Sequence, residues 1–135
     1  MSGKYKNRKL KSLKGEVVRP TSSLVKKSLF DILKVFDNKK VLDLFSGIGS
    51  LGIESLSRGA EKVIFVEKNK IVARVLSDNL KSICSTDSFL VVEQDVNFFL
   101  KNNSELYDII FADPPYGLFQ FEELKDKVYK LLKYG

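Results

Sequence analysis

The sequence predicts an α/β domain: a three-layer sandwich in which a mostly parallel, doubly wound sheet lies between helices. Three observations predict it. From residue 40 onward, short apolar runs alternate with segments of helical period, at the spacing of right-handed βαβ units. One of those runs carries Val63, Ile64, Phe65 and Val66 without interruption, the pattern of a strand buried on both faces. Another, Val41-Leu42-Asp43-Leu44-Phe45, runs straight into Ser46-Gly47-Ile48-Gly49-Ser50-Leu51-Gly52, a strand, a glycine turn and the start of a helical pattern. Glycine is required where the backbone takes positive φ or approaches another group closely, and a helix start offers unpaired N–H groups.

The elements follow in chain order. Ser2 to Val18 is basic, and its apolar residues are too irregularly spaced for a regular element; Lys14-Gly15 reads as a turn, so an arm or small hairpin is expected over residues 1–20. Pro20 biases Arg19 toward an extended conformation, and Thr21 or Ser22 can cap a helix running to about Phe36. From residue 21 to 135 one domain is expected. Its first strand is Lys40 to Phe45. A helix from Gly49 to Arg58 follows, with Gly59 as its C-cap. The second strand is Lys62 to Glu67, and the next helix, Asn69 to Ile83, presents Ile71, Val72, Val75, Leu76 and Leu80. The third strand is Ser88 to Glu93. Asp95 then precedes a short helix containing Val96, Phe99 and Leu100. The fourth strand, Tyr107 to Ala112, ends in Asp113-Pro114-Pro115-Tyr116, and the last helix, Phe121 to Lys133, shows Leu124, Val128, Leu131 and Leu132.

Composition narrows the chemistry. In 135 residues there is one cysteine, Cys84, and no histidine, so an internal disulfide, a transition-metal site and a histidine-based triad fall away. No apolar run reaches the ~20 residues of a membrane span, and no signal-peptide core opens the chain, so a cytoplasmic protein with no membrane partner is expected. The net charge of +6 is unevenly placed: Met1 to Lys27 holds nine basic residues and one acid, a net of +8, which leaves −2 for the remainder. Such a head suits a polyanion; its plainer reading is a solvated tail.

In doubly wound sheets ligands bind beyond the carboxyl ends of the strands, at the switch in strand order. Four features fall at those ends: the glycine turn with Asp43 inside its strand, Glu67, Asp95-Val96, and the Asp-Pro-Pro-Tyr turn. Glu67 lies 18 residues beyond Gly49, close to the spacing at which an acid meets ribose hydroxyls. Asp95 can read an adenine edge together with the Val96 N–H. Plainer readings stand beside each: a tight turn, a solvated strand end, a helix cap. The double proline is the most specific feature, because it stops strand and helix alike and makes a rigid turn that aims the Asp113 carboxylate and Pro114 carbonyl at one point. Two such acceptors gripping the hydrogens of a nucleobase amine free its lone pair, and Tyr116 can stack on the base.

The run Asp43-Leu44-Phe45-Ser46-Gly47-Ile48-Gly49-Ser50-Leu51-Gly52-Ile53-Glu54, with Glu67 and Asp113-Pro114-Pro115-Tyr116, resembles the Rossmann-like amino-methyltransferases that use S-adenosyl-L-methionine. Gly3-Lys4-Tyr5-Lys6-Asn7-Arg8-Lys9-Leu10, Arg19-Pro20-Thr21 and Leu56-Ser57-Arg58-Gly59-Ala60 narrow the resemblance to the bacterial RsmD family, over almost the whole chain. That family methylates the N2 amine of a guanine in 16S ribosomal RNA. The resemblance implies that Asp43, Phe45, Ser46, Gly47, Gly49, Glu67, Lys68, Asp95 and Val96 hold S-adenosylmethionine. It makes Asp113, Pro114, Pro115 and Tyr116 the catalytic turn. Lys4, Lys6, Arg8, Lys9, Lys11 and Arg19 would grip ribosomal RNA or the small subunit.

Measured against that family the chain lacks most of a first N-terminal strand and the strands after its last helix, so an incomplete domain, truncated at the C-terminus, is expected to bind cofactor weakly and to methylate RNA poorly or not at all. Three rival functions are weighed. A DNA adenine-N6 methyltransferase uses the same turn, but no target-recognition segment fits this length. An NAD-binding oxidoreductase satisfies the glycine pattern and leaves Asp113 to Tyr116 unexplained. A non-catalytic RNA-binding remnant is the third.

Overall fold

A computed structural model describes residues 3–5, 8, 10, 11, 36–112 and 118–133, without the side chains of 118–123. Among the described residues four strands, β1 (Lys40–Leu44), β2 (Lys62–Val66), β3 (Phe89–Val92) and β4 (Ile109–Ala112), form one sheet in the order β3-β2-β1-β4. Every pairing is parallel. The helices are α1 (Ser50–Ser57), α2 (Lys70–Ile83), α3 (Val96–Lys101) and α4 (Leu118–Tyr129). β1 pairs with β2 on one side and β4 on the other, so the strand order reverses beside β1. The glycine turn leaves the sheet at that point.

The three layers follow from the period of two along each strand. Val41, Val63 and Phe65 face one side and pack with Ile53, Leu56, Leu76, Leu80 and Ile83 of α1 and α2. Leu42, Leu44, Ile64 and Val66 face the other and pack with Val96, Phe99, Leu100, Leu124 and Val128 of α3 and α4. Both faces are therefore covered, which is why β1 and β2 carry almost no polar residue. Beyond Lys40 and Lys62, which open the two strands, Asp43 is the exception: it sits on the α1 side, 2% exposed. Among the described residues no helix is long and apolar enough to cross a membrane.

Several expected elements shift. The last helix starts at Leu118 and stops at Tyr129, rather than running from Phe121 to Lys133. It stops because long-range backbone bonds compete with its final turn: Tyr107 N–H donates to Leu131 O at 2.7 Å and Lys133 N–H to Tyr107 O at 3.0 Å. The same bridge holds Tyr107 apart from β4, which begins at Ile109. Ile71, expected on the buried face of α2, is 57% exposed. It lies in the first helical turn, past the end of β2, and the buried stripe runs instead through Val72, Ala73, Val75, Leu76, Asn79, Leu80 and Ile83. The helix expected from Thr21 to about Phe36 lies outside the described residues except for Phe36, which is buried in the core. Of the N-terminal arm, Gly3–Tyr5 forms a single 3-10 turn against the α1 side of the core.

Helix α1 lies close on β1 and β2 because Gly52 has no side chain: a Cβ there would overlap Phe65 Cε1 and stand 3.0 Å from Asp43 Oδ2. Gly52→Ala is therefore expected to cost about 1–3 kcal/mol through overpacking. Phe65→Leu, which shortens the offending ring, should recover part of that loss in the double variant. Urea unfolding of the four proteins checks this; strictly additive losses would place the strain elsewhere.

Candidate functional site

The loop after β1 is shaped by bonds that begin inside the strand. Phe45 takes φ +56° and so turns the chain out of the sheet in a conformation that side chains other than glycine seldom adopt. Ser46 holds that turn from below: its hydroxyl donates to Asp43 O at 2.5 Å and accepts from Val66 N–H at 3.1 Å, while its own N–H donates to Val66 O. Gly49 then opens α1 at φ +99°, and a Cβ on it would lie 2.5 Å from Leu76 Cδ1. Both its conformation and its surroundings demand glycine.

Glu67 joins this loop to the next. Its Oε1 accepts from Gly47 N–H at 2.9 Å and its Oε2 from Asn69 N–H at 3.0 Å. A carboxylate oxygen accepts more than one hydrogen bond, so Glu67 can serve the loop and a ligand together. Lys68 beside it is exposed. At the end of β3, Asp95 caps α3, its Oδ2 accepting from Asn97 N–H at 3.0 Å and Phe98 N–H at 3.4 Å, and Val96 is buried. The carboxyl edge thus gathers Phe45, Ser46, Gly47, Gly49, Glu67, Lys68, Asp95 and Val96. Asp95 stands two strand spacings from β1, about 10 Å. β4 ends at Ala112, in register with Leu44. The turn Asp113 to Tyr116 that follows it lies outside the described residues, as do Lys6, Lys9 and Arg19.

Asp43 lies under the loop. Its Oδ2 accepts the Gly52 N–H at 3.1 Å. Burial pushes its carboxyl up to about 7; the Gly52 bond opposes that and the nearby Glu67 charge adds to it. Cys84, buried at the end of α2, is pushed up to about 12 by the same loss of water and is not a poised nucleophile. Among the described residues no cluster of His, Cys, Asp or Glu could hold a metal ion.

Three of the expected RNA-binding cations are described, and each also bonds the body. Lys4 Nζ lies 2.5 Å from Asp87 Oδ1, and the Tyr5 hydroxyl donates to Asp87 Oδ2. Arg8 Nη2 donates to Ser82 O at 2.9 Å, and Lys11 Nζ pairs with Asp78 at 3.5 Å. Sequence reasoning missed Asn79, which receives the Lys11 backbone beside the glycine loop. The available signal was a polar residue between Leu76 and Leu80 in an otherwise apolar stripe.

The chain matches, over residues 1–134, the family described as conserved hypothetical protein 95. It is 41% identical over 120 residues to ribosomal RNA small subunit methyltransferase D of Haemophilus influenzae, a match covering 86% of this chain and 62% of that protein. The chain thus spans about three fifths of the length of such curated relatives. A hypothetical protein of Thermus thermophilus superposes with a TM-score of 0.84 at 30% identity, covering 99% of this chain and 79% of that one. A SAM-dependent methyltransferase from Agrobacterium tumefaciens shares the fold alone, with a TM-score of 0.71 at 21% identity over 82% of this chain and 40% of that one.

The raised carboxyl of Asp43 carries a pH signature. The unfolded chain releases this proton near pH 4 and the folded chain keeps it until about pH 7. Stability contributed by Asp43 is therefore present below pH 4 and falls as pH rises to about 7, by roughly 4 kcal/mol for a shift of this size. Asp43→Asn preserves an acceptor for Gly52 N–H and removes the titration, so its urea midpoint should fall less over that interval than that of the parent. Parallel profiles would show that Asp43 is ionised throughout.

Proposed function

Because the chain belongs to the conserved hypothetical protein 95 family, that of the RsmD ribosomal RNA methyltransferases, we propose that it transfers a methyl group from S-adenosylmethionine to RNA. The acceptor would be the exocyclic N2 amine of a guanine in the small-subunit (16S) RNA. One observation carries the choice of cofactor: the Gly47 N–H is already given to the Glu67 carboxylate. A dinucleotide would place its pyrophosphate against such amides. Here that position faces the Glu67 carboxylate, and an acid there repels a diphosphate. It suits a cationic nucleoside that carries no phosphate.

The residues present fit such a ligand, since the edge offers acceptors to a molecule rich in donors. Glu67 would accept the ribose hydroxyls, while Asp95 and the Val96 N–H would read the adenine. Asp43 and Ser46 hold the loop that Phe45, Gly47 and Gly49 form against it, and Lys68 stands at the rim. S-adenosylmethionine supplies an electrophilic methyl group on a sulfonium centre. This chain's own part is to aim the amine. The Asp113 carboxylate and Pro114 carbonyl would accept its two hydrogens, Pro115 would keep the turn rigid, and Tyr116 would stack on the base. Proximity and orientation then suffice. Lys4, Lys6, Arg8, Lys9, Lys11 and Arg19 would meet RNA phosphates, and the ion pairs of Lys4 and Lys11 would be exchanged in doing so.

Two measurements test this reading. In calorimetry S-adenosylmethionine should bind and NAD should not, and Glu67→Ala should weaken binding by about 1–3 kcal/mol. Labelled-methyl transfer to small-subunit RNA should vanish in Asp113→Ala. NAD binding, or transfer that survives Asp113→Ala, would overturn it. RNA affinity should also fall steeply with salt, and removing residues 2–14 should flatten that slope by roughly one unit for each phosphate no longer met. An unchanged slope would reduce the basic head to a solvated tail.

A further inference from the structure

Asn79 lies in the C-terminal half of α2, 3% exposed, with both ends of its amide engaged. Its Oδ1 accepts from Lys11 N–H at 2.7 Å. Its Nδ2 donates to Lys11 O at 3.2 Å and to Ile48 O at 3.0 Å. One buried side chain therefore grips the N-terminal segment and the glycine loop at once. The Ile48 carbonyl is available for a particular reason. Ile48 precedes the N-cap Gly49, so its carbonyl lies outside the helical ladder, whose first bond runs from Ile53 N–H to Gly49 O. Gly52 N–H, a helix-start donor with no intrahelical acceptor, goes to Asp43 Oδ2, and Asn79 supplies the donor for Ile48 O.

The segment is anchored to the same body at points remote from the loop. Tyr5 packs against the α1–α2 core, its N–H donates to Ser57 Oγ at 2.9 Å, and its hydroxyl reaches Asp87. From the β2 side the loop is tied by Glu67 and by Val66. From the α2 side it is tied by Asn79. A seated segment fixes the amide of Asn79, and the fixed amide holds Ile48 O. Losing the Lys11 bonds leaves a buried amide with two unmet hydrogen-bonding positions, a state that favours rotation away from the loop.

We propose that Asn79 is a positioning residue that couples seating of the basic N-terminal segment to the shape of the glycine loop. The inference rests on the reading of that loop as the methyl-donor site and of the segment as the RNA contact. It adds that the two are linked: a nucleic acid that holds the segment in place tightens cofactor binding, and by reciprocity cofactor tightens the segment.

The test is a cycle in the full chain: parent, Tyr5→Ala, Asn79→Ala and the double variant. Hydrogen exchange at the amides of residues 47–49 is read without ligand, and S-adenosylhomocysteine affinity by calorimetry. Tyr5→Ala, which touches neither loop nor Asn79, should speed loop exchange and weaken binding about five- to tenfold. Asn79→Ala should do at least as much, and in its background Tyr5→Ala should add nothing. Equal effects of Tyr5→Ala with and without Asn79, or loop exchange that moves only with the global unfolding midpoint, would overturn the proposal. If Asn79→Ala does not fold, Asn79→Asp replaces it, keeping the acceptor for Lys11 N–H and losing both donated bonds. A loop indifferent to Tyr5→Ala in the parent overturns the coupling by itself. If no protein in the set binds S-adenosylhomocysteine, the methyl-donor reading fails, and the ligand-free exchange still decides the coupling.

Discussion

Much of the carboxyl edge hangs on the hydrogen bond from the Gly52 N–H to the buried carboxyl of Asp43. A polar group in the middle of a fully covered strand is costly unless it is bonded. The bond is made by drawing α1 close to β1, which only a glycine at 52 permits. That bond satisfies a helix-start donor that has no acceptor within α1, and the Ile48 carbonyl just ahead of the helix takes its donor from Asn79. Phe45, which follows β1 directly, takes a positive φ and sends the chain out of the sheet. One buried acid thus ties the start of a helix closely to the central strand.

The loops at this edge are tied to one another more than to their own strands. Ser46 bonds both the residue that ends β2 and the strand it leaves. Glu67 holds Gly47 on one side and the start of α2 on the other. Asn69 then caps α2, its side chain accepting from Ile71 and Val72 N–H. Such cross-ties are short and local, so a ligand that met Glu67 would meet a group already oriented by two backbone donors. Preorganisation of this kind is what a binding site gains from a rigid parallel sheet.

The basic N-terminal segment is less simple than its charge. Summed along the chain it is a strongly cationic head. In space, Lys4 and Lys11 each face an acid of the body, and Asp87 also raises the affinity of Lys4 for its proton. Exposed pairs of this sort contribute little to stability, about 0–1 kcal/mol each. They are therefore easily exchanged for phosphates. What holds the segment is the neutral part of it: the Tyr5 ring, the Ser57 bond and the Lys11 backbone on Asn79.

The fold class and the order of its elements were legible in the residues alone, because covered strands must be apolar and helices on them must show a stripe. The glycine turn, Glu67 and Asp95 were legible as an edge for the same reason: parallel strands end on one side. That Glu67 holds the Gly47 amide could not be read, since a contact between residues 20 apart depends on the register of β1 against β2. Ile71 was misplaced because periodicity does not say where a sheet ends under a helix. The last helix was drawn too long because helical pattern carries no trace of Tyr107, far back in the chain, claiming the backbone of Leu131 and Lys133. Asn79 stood in the sequence as an unexplained polar residue in an apolar row. Only packing two distant segments around it gave its donors and its acceptor their partners, since hydrogen bonds act over about 3 Å and the chain brings Lys11, Ile48 and Asn79 that close only when folded.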